Sequence, residues 1–339
     1  MLMENAATDD RNPIDVVIAW VNGNDARLTE KRNRFLNQHG GKVHSGADPT
    51  RFASINEIRY CVLSILKFAP FVRNIFIVTD EQDPNLYDDI KTYFPQKLDS
   101  VRIVDHKEIF KGFERFLPTF NSISIGNMIW RIKGLSERFV YFNDDIFLVR
   151  QVKSEDWFIE GKPVMRGGWL PAPYLRIFVN SLKRFFNLKI FRNSGFHTRA
   201  SFHLGQWASA ALVGFRCRYF SNGHTAHAVN LQLIEKYFSH NKAILERNLS
   251  FRFRDYSQFT FISLSNHLQL INGNRNFAKT DLVYFKPVNR NLNYINKKTK
   301  QCEKQKAIKY LCVQSLEMCP KEGQDKLFGW LDKTLGLNS

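Results

Sequence analysis

No stretch of this chain reaches eighteen consecutive apolar residues, so a membrane-spanning helix is not expected. The opening MLMENAATDDRNP holds acids before any apolar run and lacks the basic start and apolar centre of a signal peptide, which points to a cytoplasmic location. The five cysteines are odd in number and form no CxxC pair, a usage that favours reduced thiols over a disulfide framework or a zinc site. There is no internal repeat, no long low-complexity tract and no recognisable nucleic-acid-binding motif, so nucleic acid is not the expected partner. Carboxylates are scarce. The chain has 32 Asp and Glu against 49 Lys and Arg, a net charge of +17 that implies a polyanionic partner such as an anionic membrane surface or a phosphate-rich substrate. What is present is 339 residues with 44% hydrophobic content, enough for a sizeable core in one large domain or two modest ones.

Four short apolar runs, at 16–21, 75–79, 101–104 and 139–142, read as buried strands. Between the first two, Ile55, Ile58, Val62, Ile65 and Leu66 fall on one helical face, and Ser54 with Glu57 forms a capping-box start. A second helical pattern covers 124–135. Together these predict an α/β sheet of mostly parallel strands, in which ligands collect beyond the carboxyl ends. Each strand ends in polar residues: Asn22-Gly23-Asn24-Asp25, Thr79-Asp80-Glu81, Asp105-His106 and Asn143-Asp144-Asp145. Segment 174–191 is a basic amphipathic helix, with Arg176, Asn180, Lys183, Arg184 and Asn187 opposite Leu175, Val179, Leu182, Phe185 and Phe186. It reads either as a helix packed on the domain or as one lying on anionic lipid. The Asn- and Lys-rich stretch 289–306 reads as a loop before a final helix.

Asp144 and Asp145 interrupt the apolar run FVYFNDDIFLV. Charge is costly to bury unpaired, so the acids sit at the mouth of the core or face a counter-ion. A hard cation such as Mg²⁺ or Mn²⁺ is suited to them, because it takes one or two protein carboxylates and keeps water and phosphate for its other ligands. His224 and His227, in GHTAHAV, could share a zinc ion, but without further ligands at helpful spacing one functional histidine beside a packing one is favoured. In SFRFRD an extended backbone would aim Arg252 and Arg254 to the same side, where the guanidinium fork suits phosphate oxygens.

Several phrases resemble the Stealth family. IDVVIAWVNGND (14–25), NEIRYCVLSILKFAPFVRNIFIVTDEQDP (56–84), VDHKEIF (104–110), LPTFNS (117–122) and LSERFVYFNDDIFL (135–148) resemble its first two conserved regions. GHTAHAVNLQLIEKYF with FRFRD resembles the third, and YLCVQSLEMCPKEGQDKLFGWLDKTLG the fourth. Stealth proteins are sugar-phosphate transferases of bacterial capsules and exopolysaccharides, and the animal relative uses UDP-N-acetylglucosamine.

The resemblance implies a glycosyltransferase-A-like, mostly parallel sheet with helices on both faces and a more helical C-terminal portion. It implies a nucleotide-sugar half at 12–160, a variable insertion at 161–200 and the rest of the catalytic domain at 201–339. A UDP-sugar donor, an anionic polysaccharide acceptor and Mg²⁺ or Mn²⁺ follow from it, as does peripheral contact with the inner membrane or the capsule-assembly machinery. Carried onto this sequence, Asp15, Trp20, Asn22 and Gly23 fall in the donor segment, and Glu57, Arg59, Asn121 and Ser122 match second-region positions lining the site. Asp144 and Asp145 match the acidic pair, His224 the third-region histidine and Arg254 the arginine after it. The implied reaction moves a sugar-1-phosphate to an acceptor hydroxyl and releases UMP; the alternative is a conventional glycosyltransferase releasing UDP. The chain departs from the family pattern at Asn22 in place of an acid, at Gly126 in place of an acid, and at Gln314-Ser315 in place of Asn-Asp.

Overall fold

The computed structural model describes residues 13–38, 55–190, 200–279, 281–288 and 290–337. Ser54, and with it the expected capping box, lies outside them. Strands β1 (Ile14–Ala19), β2 (Ile75–Thr79), β3 (Val101–Asp105) and β4 (Arg138–Asn143) form where the apolar runs predict them. They pair in parallel in the order β4-β1-β2-β3. After β5 (Ile146–Leu148), β6 (Phe158–Ile159), β7 (Lys162–Pro163), β8 (Gly167–Pro171) and β9 (Arg218–Asn222), strand β10 (His227–Asn230) joins β4 antiparallel and completes a five-stranded sheet. A second sheet orders β11 (Leu282–Phe285), β12 (Tyr310–Val313) and β5.

The two-residue period of the strands feeds two cores. Val16, Ile18, Ile75, Ile77, Val140 and Phe142 pack on one side, with Cys61, Val62 and Ile65 of helix Glu57–Phe68 and Leu327 and Leu331 of helix Lys321–Leu335. Val17, Phe76, Val78, Phe139 and Val229 pack on the other, with Ile234 and Phe238 of helix Leu231–His240 and Leu264 and Leu268 of helix Phe261–Ile271. The expected mostly parallel α/β sheet with helices on both faces is therefore present. All five cysteines are unpaired.

Three local expectations need correction. Over 124–135 the chain makes only the short helix Ser122–Gly126 and the 3₁₀ turn Ile129–Arg131. Asn127 turns its side-chain amide back onto the Ile123 carbonyl (2.8 Å), and Gly134 adopts φ +80°, which ends the regular backbone. Conversely, Leu292–Lys304 is a helix rather than a loop, capped by Asn291, whose side chain accepts from the Tyr294 N–H, and anchored by buried Ile295, Thr299 and Cys302. The third correction concerns helix Tyr174–Phe185, which buries no residue fully, so its apolar face is not packed on the domain.

Asp15 is a structural clamp. Fully buried near the start of β1, it binds Arg73 through two hydrogen bonds (2.5 and 2.9 Å) and accepts the Asn74 and Ser136 N–H groups (3.1 and 2.7 Å). It thereby ties β1 to the segments entering β2 and β4, at the end of the sheet opposite the strands' carboxyl rim. Asp15→Ala strands these donors and is expected to destabilise the fold by about 2–3 kcal/mol in chemical denaturation.

Candidate active site

The carboxyl ends of β1, β2 and β4, the entry to β10 and the loop after β12 enclose a cavity of about 700 Å³. Parallel pairing brings Trp20, Asp80 and Asn143 to one rim. Because β10 runs antiparallel to β4, its beginning reaches the same rim, which places His224 there. At the end of β4 the chain turns through Asp144 and Asp145 and leaves as β5 into the second sheet, the Val313 N–H donating to the Asp145 carbonyl (2.9 Å). The same pairing delivers Gln314, Ser315 and Glu317 to the wall. Of the expected site residues, Trp20, Glu57, Ser122, Asp144, Asp145, His224 and Arg254 line the cavity.

The others lie elsewhere. Asn22 exchanges backbone hydrogen bonds with the Gln82 side chain (2.9 and 3.0 Å), and the Gly23 carbonyl accepts from Thr29, so both belong to the turn beyond the rim. Arg59 forms a fork with Asp89 (2.6 and 2.8 Å) and a longer contact with Asp332 (3.6 Å), holding helix Glu57–Phe68 to its neighbours. Asn121 caps the short helix by accepting from Ile123 N–H and donates to the Phe251 carbonyl and Gln258, which positions Ser122 beside it. Arg252 and Arg254 do not point together. The segment bends instead of extending, so Arg252 donates to the Pro118 and Arg115 carbonyls (3.0 and 2.5 Å) while Arg254 reaches Ser122 Oγ (2.5 Å) on the cavity wall.

Electrostatics single out the acids. Burial and then the Glu57 charge push the Asp145 carboxyl up to about 7. Burial, then the charges of Asp145 and Glu57, hold Asp144 well above the usual carboxylate range. Burial, with Glu57 again, also raises Glu317. Asp145 Oδ1 and Glu317 Oε1 are buried without a hydrogen-bond partner among the described residues. They are joined in this by Trp20 Nε1, His106 Nδ1, Thr119 Oγ1, Asn222 Oδ1 and Thr225 Oγ1, all from residues of this one cavity. Unpaired buried polar groups are rare in folded proteins, and their concentration here marks a surface built for a polar ligand. Sequence patterns missed Thr119, Asn222, Thr225 and Glu317. His106, by contrast, stands at the rim where the polar tail of the third strand put it.

The adjacent carboxylates, one oxygen unpaired, suit Mg²⁺ or Mn²⁺. Among the described residues no group of three or more His, Cys, Asp or Glu is placed to hold a metal ion. A cation held by these acids would compete with the proton on Asp145. Its affinity is expected to rise as pH climbs through about 7. Without cation the folded state holds this proton more tightly than the unfolded chain, so stability falls as pH rises from about 4 towards 7. Thermal-shift titrations are therefore expected to show greater Mg²⁺ stabilisation at pH 8 than at pH 5.5.

His224 is half-buried, stacked on Phe202 (centroids 4.9 Å apart, planes 15°) and flanked by Tyr284 (5.6 Å). Burial, then the neighbouring His203, pulls its pKa down, leaving a neutral imidazole at pH 7. Burial lowers His227 to about 4, and its Nε2 meets the Gly223 carbonyl at 3.0 Å.

The polar cavity at the carboxyl rim of a doubly covered α/β sheet holds paired acids, an arginine and a neutral histidine, side chains suited to a phosphate-bearing ligand. The family models agree with the resemblance drawn from the residues for the first two conserved regions. Stealth conserved region 1 matches residues 12–40 and conserved region 2 matches residues 51–165, so these two segments are similar to the conserved regions of Stealth proteins. It is 40% identical over 156 residues to an exopolysaccharide phosphotransferase of Streptomyces coelicolor, a match covering 45% of this chain and 27% of that protein. It is 38% identical over 156 residues to a capsular polysaccharide phosphotransferase of Haemophilus influenzae, covering 46% and 40% respectively. The chain thus spans well under half the length of the curated relatives it matches. Among solved structures, the galactosyltransferase LgtC in complex with donor and acceptor sugar analogs aligns over 94% of this chain and 95% of its own, at 10% identity and a TM-score of 0.42.

Proposed function

We propose that the cavity binds a UDP-sugar and transfers its sugar-1-phosphate to a hydroxyl of a growing anionic polysaccharide, at the cytoplasmic side of the membrane. The supporting observation is the ring of unpaired polar groups around uncompensated carboxylates at the sheet's carboxyl rim. In this reading residues 12–160 carry the donor, 161–200 are an insertion and 201–339 complete the site. Asp144 and Asp145 would hold Mg²⁺ or Mn²⁺, which supplies charge neutralisation at the diphosphate.

The chain's own groups do the rest. The acceptor oxygen forms a bond to the β-phosphorus, the bond from that phosphorus to the bridging oxygen breaks, and UMP leaves with the bridging oxygen. His224 takes the hydroxyl proton, for which a neutral ring with a lowered pKa is suited. Arg254, steadied by Ser122, donates to the transferring phosphoryl oxygens. Incubation of the protein with a panel of UDP-sugars and an oligosaccharide acceptor is expected to release UMP with one sugar; UDP release instead would replace this reading with glycosyl transfer.

A further inference from the structure

Between Glu160 and Glu235 the sequence contains no Asp or Glu, against ten Lys and Arg. This one stretch therefore accounts for ten of the net +17 charges. In its first half lies helix Tyr174–Phe185, continued by a π-turn at Phe186–Ile190.

One edge of the helix is attached to the protein. Tyr174 stacks edge-on against Trp207 (5.6 Å) and donates to the Arg216 carbonyl, Ile177 packs beside Trp207 and Tyr219, and Arg184 meets the Tyr256 hydroxyl and ring. Residues three and four apart share a helical face, so this attachment turns a different stripe outward. Leu175 is 77% exposed, Phe178 60%, Phe185 55% and Leu182 41%, with Val179 and Phe186 alongside. Arg176 and Lys183 border the stripe.

We propose that this helix docks the protein on an anionic lipid bilayer, its apolar stripe entering the acyl boundary and its basic border meeting the headgroups. The two halves of the observation choose the occupant. A hydrated polyanion such as a polysaccharide would match the charge but offers no apolar phase for six exposed hydrophobic side chains. A second copy of the chain would cover the stripe but would face the helix's basic border, from a carboxylate-free segment, with another like it. A bilayer satisfies both, since apolar burial and headgroup attraction of about 1 kcal/mol per basic residue act together. Arg184 bonds to Tyr256, two residues from cavity-lining Arg254, so docking would hold the cavity close to the membrane surface. The proposal does not depend on which group the cavity transfers.

Flotation with vesicles of phosphatidylcholine containing phosphatidylglycerol, and with phosphatidylcholine alone, tests it. The wild-type chain is expected to float with the anionic vesicles at low salt, to be released as salt rises, and not to float with neutral vesicles. The double variant F178E/L182E, changed only at exposed positions, is expected to partition about tenfold less or weaker, with an unchanged melting temperature. R176E/K183E is expected to lose the preference for anionic vesicles. Failure of the wild type to float with anionic vesicles overturns the proposal, as does equal flotation of F178E/L182E. A stripe variant that merely converts a dimer to a monomer while vesicle binding persists would assign the face to self-association instead.

Discussion

Asp145→Asn is expected to reduce transfer by about 10³-fold or more while raising the melting temperature of the cation-free protein above pH 7. Both effects have one cause. The Asp145 carboxyl is buried near Glu57 and titrates at about 7, so ionising it costs the fold free energy unless a cation is bound. The amide removes that cost and, on the proposed function, would remove the charge that holds the cation and leave the donor's diphosphate without neutralisation. Calorimetric melting with and without Mg²⁺ should show the variant more stable than wild type in EDTA and insensitive to added metal. A variant with wild-type turnover, or wild-type turnover in EDTA, would show that the acids hold no catalytic cation.

His224→Ala is expected to slow the single-turnover step by about 10²- to 10⁴-fold with donor affinity retained, the range for losing a positioned proton acceptor. The ring is set in place between Phe202 and Tyr284, and its pKa lies below the usual value of about 6.5, so with Mg²⁺ saturating at every pH, which removes the Asp145 limb, the wild-type rate should fall on the acid side of that pH and level off above it. In the variant this acid limb should vanish. His227→Ala should leave the chemical step nearly intact, because that ring is buried against the Gly223 carbonyl. Equal losses in the two variants, with zinc in the wild-type protein, would favour a shared metal instead. Loss of donor affinity without loss of chemistry would make His224 a binding residue.

Four of the sheet's five strands were legible as short apolar runs, and β2 begins and ends at the residues the pattern marks, whereas β10 (His227–Asn230) was not read from the sequence. The rim was legible for the same reason: Asp144, Asp145 and Asp80 stand where apolar runs stop. Other features depend on long-range contact. Asp15 sits in a conspicuous segment, yet its role is decided by Arg73, Asn74 and Ser136, which the chain brings together only on folding. Glu317 reaches the cavity because β12 pairs with β5, a register that local sequence does not announce. Helix Leu292–Lys304 was hidden by its Asn and Lys content, although Ile295, Thr299 and Cys302 already carried a helical spacing. In the amphipathic helix the apolar face was plain, but which edge met the protein was settled by Trp207 and Tyr256, far along the chain.

The fate of the donor's β-phosphorus tests the central claim most directly. With a UDP-sugar labelled at that atom and an oligosaccharide acceptor, the label is expected in the saccharide product as a phosphodiester, accompanied by unlabelled UMP. Label recovered in UDP, with an unlabelled glycosidic product, would contradict sugar-phosphate transfer.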